Sequence, residues 1–225
     1  MIKFEKVTKN FGSITALSNV TFGIEAGEFV FLIGPSGAGK TTIFNLILRH
    51  YLPTSGEISI AGAKLADLDK RKTSDYRRRL GVIFQDFKLI SDLNVFENVA
   101  LAVRVLNHKD TEIEHEVHKS LQLVGLRDRS DAFPSQLSGG ELQRVCIARA
   151  IVGNPEIVLA DEPTGNLDLE TGKQIVLLLK KINDLGKTVL MATHNFEIVN
   201  TMKERVLKLE QGKLISDDEK GKYQF

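Results

Sequence analysis

The stretch GPSGAGKTT at residues 34–42 has the residue types and the spacing of a phosphate-binding loop, G-x-x-x-x-G-K-[ST]. Its glycines permit backbone conformations that turn successive N–H groups onto phosphate oxygens. Lys40 supplies a positive charge for the terminal phosphates, and the Thr41 hydroxyl is placed to ligate Mg²⁺. The sequence therefore predicts a nucleotide phosphate site, and its members are Gly34, Pro35, Ser36, Gly37, Ala38, Gly39, Lys40, Thr41 and Thr42.

The segments on either side of this loop are the ones that such a site needs. Residues 28–33 are an apolar run that predicts a buried strand, and residues 43–48 predict a helix that opens near Lys40. The positive end of that helix adds its field to the anion site. A glycine-rich turn could match the pattern by chance, but a strand, a full motif and a helix in register disfavour that alternative.

Two adjacent carboxylates, Asp161 and Glu162, follow a predicted buried strand at residues 157–160. In phosphoryl transfer they could divide the work, with Asp161 holding Mg²⁺ directly or through water and Glu162 polarising the attacking water as general base. The alternative is an acidic loop after a strand. The presence of Lys40 and Thr41 in the same chain favours the catalytic interpretation.

Two further polar residues stand at strand ends, where α/β sheets place ligand contacts. Gln85 follows the predicted strand at residues 80–84; its amide oxygen could ligate Mg²⁺ or hold the attacking water, and it could equally be a loop residue. His194 follows the predicted strand at residues 188–192, so the topology brings it to the same sheet edge, near the γ-phosphate. Taken alone, a single histidine is more often structural.

The sequence LSGGE at residues 137–141 opens a predicted amphipathic helix over residues 142–152. Ser138 is a natural N-cap, and Gly139 and Gly140 expose backbone N–H groups, which makes a second anion site at a helix N-terminus. An ordinary capped helix is the alternative. Cys146, in the middle of this helix among apolar residues, is interpreted as small core filler.

The composition predicts one compact domain, because 42% of the 225 residues are hydrophobic. Thirty basic and twenty-nine acidic residues give a net charge of +1, which argues against nucleic-acid binding through bulk electrostatics. The basic segment 70–79 is expected to be a solvated helix face beside the core. A single cysteine indicates a reducing compartment. No leader pattern and no run of ~20 apolar residues is present, so we expect a soluble protein.

Hydrophobic periodicity and turn residues predict the elements that position these groups. The N-terminal strands are expected to pair antiparallel, and one helix is expected to begin with a capping pattern, Thr111-x-x-Glu114. A polar turn at residues 165–168 is expected to cap the helix that follows it, and the tail from residue 216 is expected to be loose. Strands are predicted at residues 2–7, 20–24 and 57–61, helices at residues 94–103, 111–124 and 169–184, and a closing hairpin at residues 206–215.

Three ring side chains could bind ligands. Phe11, beside a turn, could stack on an adenine ring, but from the residues alone a core aromatic next to a turn is the preferred interpretation. His115 and His118 share a helical face and could in principle bind a metal. With Glu and Lys around them and no third ligand in the pattern, we expect both to be solvated.

The order of these motifs resembles the nucleotide-binding domain of ABC ATPases along essentially the whole chain. The resemblance rests on the phosphate loop, Gln85, LSGGE, IVLADE at residues 157–162, NLD at residues 166–168 and His194. It implies an α/β fold, with a P-loop NTPase (RecA-like) core, an antiparallel β subdomain and an α-helical subdomain in ABC ATPase architecture. Residues 1–225 would form a single domain, with the core near residues 1–85 and 156–225 and the helical signature subdomain near residues 86–155.

The resemblance implies ATP hydrolysis as the activity, with ATP and Mg²⁺ as cofactors. Two copies would sandwich two ATP molecules head to tail in an ATP-dependent homodimer. Ser138, Gly139 and Gly140 of one copy would close on the γ-phosphate held by Lys40 of the other. Glu141 stands in this signature where glutamine is commoner in the family; it lies one residue beyond the glycine donors, so we expect function to survive.

Three more residues take roles from the same resemblance. Phe11 would stack on adenine, so the resemblance favours the stacking interpretation over that of a core aromatic. Asp168 would couple the two sites across the interface, and His194 would contact the γ-phosphate. The family often has tyrosine where this chain has Phe11, and stacking tolerates that exchange.

Within the family, VIFQDFKLI at residues 82–90 and NVFENVA at residues 94–100 resemble the branch that acts in bacterial cell division. That resemblance implies an integral membrane partner docking near Gln85, Asp86 and Phe87, with cytoplasmic division proteins as further partners. The protein would be cytoplasmic and peripheral on the inner face of the plasma membrane through its partner, and the complex would control peptidoglycan hydrolysis.

Two alternatives remain open at this point. One is the motor of a lipoprotein-release or macrolide exporter. The other is a soluble DNA-maintenance ATPase, which is disfavoured because neither heptads nor cysteine pairs separate the phosphate loop from the signature. No nucleic acid is expected as a ligand.

Overall fold

Strands and helices alternate along most of the chain in a computed structural model that describes residues 1–105, 109–219 and 221. In chain order the elements are β1 (Ile2–Phe11), β2 (Ile14–Ile24), β3 (Phe29–Ile33), α1 (Lys40–Ile47), β4 (Ser55–Ile60), β5 (Ala63–Lys64), α2 (Thr73–Arg78), β6 (Leu80–Ile83), α3 (Val95–Arg104), α4 (Asp110–Leu123), α5 (Gly139–Ile151), β7 (Ile157–Asp161), α6 (Leu169–Asp184), β8 (Thr188–Ala192), α7 (Phe196–Met202), β9 (Arg205–Glu210) and β10 (Lys213–Asp218), with short 3₁₀ turns at Lys70–Lys72, Arg127–Arg129 and Pro134–Gln136.

The chain divides into two compact units. The first contains residues 1–77 and the described part of residues 183–225, and the second contains residues 78–182. The division into a nucleotide-binding core and a helical signature subdomain, drawn from the sequence with other bounds, stays a prediction.

The first unit contains two groups of strands. In one, β1 pairs antiparallel with β2 and with β4, and the rings of Phe4 and Phe22 stack at 4.6 Å between centroids. In the other, β3 lies parallel to β8 on one side and to β9 on the other, and β9 continues into an antiparallel hairpin with β10. Every residue of β3 and β8 is buried, as expected for parallel strands that are covered on both faces.

The second unit places the parallel pair β6 and β7 beside helices. Leu80 aligns with Ile157 and Ile83 with Ala160, so these two strands end at the same edge. Helix α5 approaches β6 closely at Gly81, where a Cβ atom would lie 2.3 Å from the carbonyl oxygen of Ala150. A residue larger than glycine would force the helix away from the strand.

Most predicted elements are present, but two expectations are wrong, and one helix is present that the sequence patterns did not indicate. Helix α4 begins at Asp110, not with a Thr111 cap, because the Glu112 carboxylate accepts a hydrogen bond of 3.0 Å from the backbone N–H of Lys109. Strand β10 continues to Asp218, so the tail from residue 216 begins as ordered strand, while residues 220 and 222–225 lie outside the described residues. Helix α7 was not predicted. In the described ranges, no helix combines the length and the apolar character that a membrane span requires.

Candidate active site

The phosphate loop between β3 and α1 has the backbone that its glycines predict. Gly34, Gly37 and Gly39 have φ angles of 153°, 77° and 108°, which side chains with a Cβ rarely adopt. Space is restricted as well: a Cβ atom would lie 2.2 Å from the Leu209 carbonyl oxygen at Gly34 and 2.7 Å from Leu17 Cδ2 at Gly39. The predicted need for glycine is confirmed by the backbone conformation at all three positions and by restricted space at Gly34 and Gly39, whereas a Cβ atom at Gly37 would have no heavy atom within 4 Å.

Lys40 lies inside this loop although it is a charged residue. Its side chain is 9% exposed, and its Nζ donates to the carbonyl oxygens of Gly34 at 2.8 Å and Pro35 at 3.2 Å. The ammonium is therefore held against the loop that would enclose phosphate. Helix α1 begins at Lys40, so the first-turn N–H groups and the side chain present positive charge at the same place.

The phosphate loop is supported by two segments whose local sequence does not predict a contact with it. The Gly212 N–H, in the turn between β9 and β10, donates to the Ala38 carbonyl oxygen at 3.1 Å, and the Gly212 carbonyl accepts from the Ser18 N–H at 2.8 Å. A Cβ atom at Gly212 would lie 2.7 Å from the Ala16 carbonyl oxygen. The hairpin was predicted, but nothing in its local pattern indicates which loop it supports.

His194 lies beside the start of the phosphate loop through strand register. Leu32 aligns with Ala192, and the Thr193 N–H donates to the Leu32 carbonyl oxygen at 3.2 Å. His194 is exposed two residues beyond β8. The Asn195 side chain caps α7 by accepting from the backbone N–H groups of Glu197 and Ile198, which fixes the turn that carries the histidine. Asparagine followed by an acidic first turn is a helix-start signal that could have predicted α7.

Phe11 is 40% exposed at the end of β1, so the expectation of a core aromatic is wrong. Its ring makes an edge contact with Tyr51, with 5.1 Å between centroids and 81° between planes. The Lys9 ammonium lies 5.0 Å from the Phe11 centroid. The side chain is thus a surface aromatic ring in the same unit as the phosphate loop.

The carboxylates occupy the end of β7 in the second unit. Asp161 is the last residue of the strand, and Glu162 follows with φ at 50°, in the left-handed region that non-glycine residues seldom adopt. Its carbonyl oxygen accepts from the Gly165 N–H at 3.0 Å. Unusual backbone at a residue with a candidate catalytic side chain is consistent with strain stored at a functional site.

Gln85 is held by the loop that follows these carboxylates. The Asn166 side chain donates to the Gln85 carbonyl oxygen at 3.1 Å, and a Cβ atom at Gly165 would lie 2.9 Å from Gln85 Nε2. The predicted site residue Gln85 and the loop after Glu162 are therefore brought together. Gly165 and Asn166 are positioning residues, although their local pattern predicts only a polar turn.

The same loop packs against the start of the signature helix. Asp168 accepts from the Thr171 N–H at 3.0 Å, which confirms the predicted cap of α6. Hydrogen bonds from the Thr171 side chain and from its backbone N–H lower the pKa of the Asp168 carboxyl. A Cβ atom at Gly140 would lie 2.6 Å from Thr171 Cγ2, and one at Gly139 would lie 3.3 Å from Leu167 Cδ2. Glycine is thus required at residue 140 for this packing.

Ser138 caps α5 as predicted, in a reciprocal arrangement with Glu141. The Glu141 carboxylate accepts from the Ser138 N–H and from the Ser138 hydroxyl, both at 2.8 Å, while the Ser138 hydroxyl oxygen accepts from the Glu141 N–H at 3.3 Å. The bonds from Ser138, with a smaller contribution from Arg129, hold the pKa of Glu141 below its ordinary value. Cys146, further along this helix, is buried, and burial raises the pKa of its thiol to about 12, in keeping with core filler.

The two histidines of α4 are not both solvated as expected. His118 is half-buried, its ring lies 5.5 Å from that of Phe96, and its Nε2 is 4.0 Å from a Glu114 carboxylate oxygen. His115 is exposed. The expectation fails for His118 because α3 supplies an aromatic neighbour that the helical pattern of α4 does not reveal.

Comparison with known proteins shows the family to which the chain is similar. The sequence model of the ABC transporter family matches residues 17–165. The chain is 48% identical over 224 residues to the cell division ATP-binding protein FtsE of Bacillus subtilis (strain 168). The aligned region covers 99% of this chain and 98% of that protein.

Comparison with solved structures also finds ABC transporter cassettes. A dimeric bacterial ABC transporter cassette superposes with a TM-score of 0.88 at 39% identity, covering 99% of this chain and 100% of that one. Its post-hydrolysis state bound to ADP and Pi gives a TM-score of 0.87 at 39% identity and the same coverage. The predicted α/β fold class is confirmed.

Proposed function

The chain belongs to the ABC transporter family, and from that premise we propose that it is the ATP-hydrolysing subunit of a membrane-associated complex that acts in cell division. It is an ABC-type ATPase, which converts ATP and water to ADP and phosphate. The observation that carries the proposal is the phosphate loop, where three glycines have positive φ and the Lys40 ammonium is folded against the loop's own carbonyls.

We assign each part of the site a role in ATP binding or hydrolysis. The loop backbone and Lys40 bind the phosphates, and Phe11 stacks on the base. Glu162 takes a proton from the attacking water as general base, a function typically worth about 10² to 10⁴ in rate. Gln85 orients that water, supported by its contact with the loop at residues 165–166. His194 contacts the γ-phosphate, supported by its place beside the loop.

Mg²⁺ is proposed as the metal cofactor, with the Thr41 hydroxyl, the Gln85 amide oxygen and the Asp161 carboxylate as its protein ligands. All three present oxygen atoms, which this hard cation prefers. Thr41 is exposed in the first turn of α1 and Asp161 is only partly buried, so both are accessible to an ion. When bound, Mg²⁺ neutralises charge on the phosphate oxygens.

The complete site is proposed to form between two copies of the chain. The signature residues Ser138, Gly139, Gly140 and Glu141 of one copy would close on the ATP bound to the loop of the other. Support comes from the dimeric form of the cassette that is 39% identical to this chain. The helix N-terminus behind Ser138 offers N–H groups suited to an anionic phosphate.

The partner is proposed to be an integral membrane protein of the FtsX type, which holds this chain at the inner face of the plasma membrane and controls peptidoglycan hydrolysis. The name of the Bacillus subtilis relative supports the cell-division role. Docking is placed near Gln85, Asp86 and Phe87. This segment has a defined shape, since Phe87 and Lys88 both have positive φ, at 55° and 51°.

Substitution of the general base tests the catalytic assignment. Glu162→Gln is expected to bind ATP as well as the wild type and to form a stable ATP-bound dimer, while turnover falls by roughly 10² to 10⁴. Glu170→Gln, an exposed change on α6, is the matched control and is expected to keep full turnover. Undiminished hydrolysis by Glu162→Gln would overturn the role of Glu162. Unchanged ATP binding by Lys40→Ala would overturn the role of the loop.

Affinity purification from native membranes tests the partner. The wild-type chain is expected to retain one integral membrane protein, identified by mass. Phe87→Ala is expected to lose most of it, and Leu177→Ala, which removes an exposed apolar side chain on α6, is expected to retain it. Equal retention by both variants would place the docking surface elsewhere.

A further inference from the structure

Lys9, Phe11 and Tyr51 form one surface cluster in the first unit. Phe11 and Tyr51 are 40% and 43% exposed, and their rings meet almost at right angles, with 5.1 Å between centroids. The Lys9 Nζ lies over both rings, 5.0 Å from the Phe11 centroid and 5.3 Å from the Tyr51 centroid. Aromatic pairs at this angle and distance attract each other beyond simple burial, and a cation over a ring face adds to the attraction.

The cluster is fixed by bonds between the end of β1 and the turn that follows α1. Lys9 Nζ donates to the Leu52 carbonyl oxygen at 2.8 Å, and the Asn10 N–H donates to Thr54 Oγ1 at 3.0 Å. The Thr54 N–H in turn donates to the Thr8 carbonyl oxygen at 2.8 Å. Tyr51 is therefore held at a set position beside β1. The helix that precedes this turn is α1, which begins at Lys40 and ends at Ile47. One short segment therefore connects the phosphate loop to Tyr51.

We infer that Tyr51, assisted by Lys9, is a positioning residue that orients the Phe11 ring for the planar base of the nucleotide. This inference rests on the proposed role of Phe11 in base stacking. A half-exposed phenylalanine that is free to change rotamer must be immobilised when a base stacks on it, and that ordering reduces affinity. Because the edge contact with Tyr51 already holds the Phe11 ring, this ordering takes place before the nucleotide binds. With Lys9 over one face, a base that leaves Lys9 in place stacks on the opposite face.

The positioning role of Tyr51 predicts a loss of affinity only for ligands that contain the base. Tyr51→Ala is expected to raise the dissociation constant for ATP roughly 2- to 12-fold, the range that an aromatic edge contact represents. Affinity for inorganic tripolyphosphate, which has no base, is expected to stay unchanged. The KM for ATP is expected to rise while kcat is retained. Tyr51→Phe, which keeps the ring, is expected to behave like the wild type.

Isothermal titration with ATP and with tripolyphosphate measures these values, and Leu52→Ala is the control, because it truncates the neighbouring exposed side chain and keeps the carbonyl that Lys9 binds. Unchanged ATP affinity in Tyr51→Ala would overturn the inference. So would an equal loss for tripolyphosphate, or an equal loss in Leu52→Ala, since either would mean a general disturbance of the turn.

A Phe11→Ala variant separates this inference from the function on which it rests. If Phe11→Ala weakens ATP binding and Tyr51→Ala does not, the positioning role is wrong and base stacking by Phe11 stands. If Phe11→Ala leaves ATP affinity unchanged, stacking itself is wrong, and the inference fails with it. If both variants weaken ATP binding and neither changes tripolyphosphate binding, both roles are supported.

Discussion

Glu141 binds the N-cap of the helix that it belongs to with two hydrogen bonds. Its carboxylate accepts from the Ser138 N–H and from the Ser138 hydroxyl, so the hydroxyl proton points at the glutamate. Since bonds to the charged form favour ionisation, the pKa of this carboxyl is lowered. A full negative charge therefore stands one residue beyond Gly140, at the surface proposed to face a phosphate of the second copy.

Removing this charge is expected to tighten the ATP-bound dimer. Glutamine at residue 141 keeps an amide oxygen for the cap, so α5 should remain folded, while the repulsion between the carboxylate and phosphate is lost. In a Glu162→Gln background, Glu141→Gln is expected to lower the dimer dissociation constant roughly 3- to 10-fold, as a charge pair near a protein surface allows. Sedimentation in the presence of ATP measures it. A weaker dimer would contradict the argument, and Glu170→Gln supplies the charge-matched control.

The same carboxylate predicts how stability depends on pH. A group whose folded-state pKa is lowered contributes stability that is fully present above its unfolded pKa and is lost as the pH falls through its folded pKa. For Glu141 the ordinary value is 4.5, so the loss is expected below that pH. Urea unfolding at pH 7 and at pH 3.5 should show a smaller decline in the free energy of unfolding for Glu141→Gln than for the wild type. Equal declines would show that the cap does not depend on the charge.

Helix α5 holds the segment that is proposed to contact the membrane partner. The Arg149 guanidinium donates to the carbonyl oxygens of Phe87 at 2.7 Å and Lys88 at 2.6 Å, and the Cys146 thiol donates to that of Phe87 at 3.1 Å. These bonds fix two successive non-glycine residues with positive φ. The helix that begins with the signature thus also sets the conformation of residues 87 and 88.

Loss of this clamp is expected to destabilise the fold measurably. Arg149→Gln removes two charge-assisted hydrogen bonds and is expected to lower the free energy of unfolding by about 1.5–3 kcal/mol. Arg104→Gln, an exposed change of the same type in the last turn of α3, is the control and is expected to leave the free energy of unfolding nearly unchanged. Urea denaturation compares the two variants. An equal or larger loss in Arg104→Gln would mean that the two carbonyl bonds of Arg149 are not the source.

Much of this arrangement was predictable because the signals are local. The bounds of α6, the Asp168 turn before it, the buried strands β3, β7 and β8 and the Ser138 cap all depend on periodicity or on residues within four positions of one another. The positive φ values of the phosphate loop are predictable for the same reason, since glycine spacing is read directly from the chain.

The remaining features depend on contacts between residues that are far apart in the sequence. The support of Ala38 by Gly212 and the contact of Gln85 with Gly165 join distant segments, so no local pattern reports them. Asn98 is a partial exception. It is fully buried in the apolar run of α3, where its amide bonds to Ile90, Leu93 and Asn94, and a polar residue at a core position signals such a network.

The proposed site needs two copies of the chain. In a head-to-tail dimer, each ATP meets the phosphate loop of one copy and the signature of the other, and twofold symmetry makes both sites alike. A chain with a defective loop still offers an intact signature to its neighbour. A chain with a defective signature still offers an intact loop.

Mixing two inactive variants therefore tests the arrangement directly. Lys40→Ala disables the loop and Ser138→Arg disables the signature, and each alone is expected to lose nearly all ATPase activity. Heterodimers contain one site with both parts intact, so an equimolar mixture is expected to recover about a quarter of the wild-type sites on statistical pairing. Steady-state phosphate release measures the recovery, with circular dichroism to show that both variants are folded. If ATP were hydrolysed by the loop and the signature of one and the same chain, mixing would restore nothing.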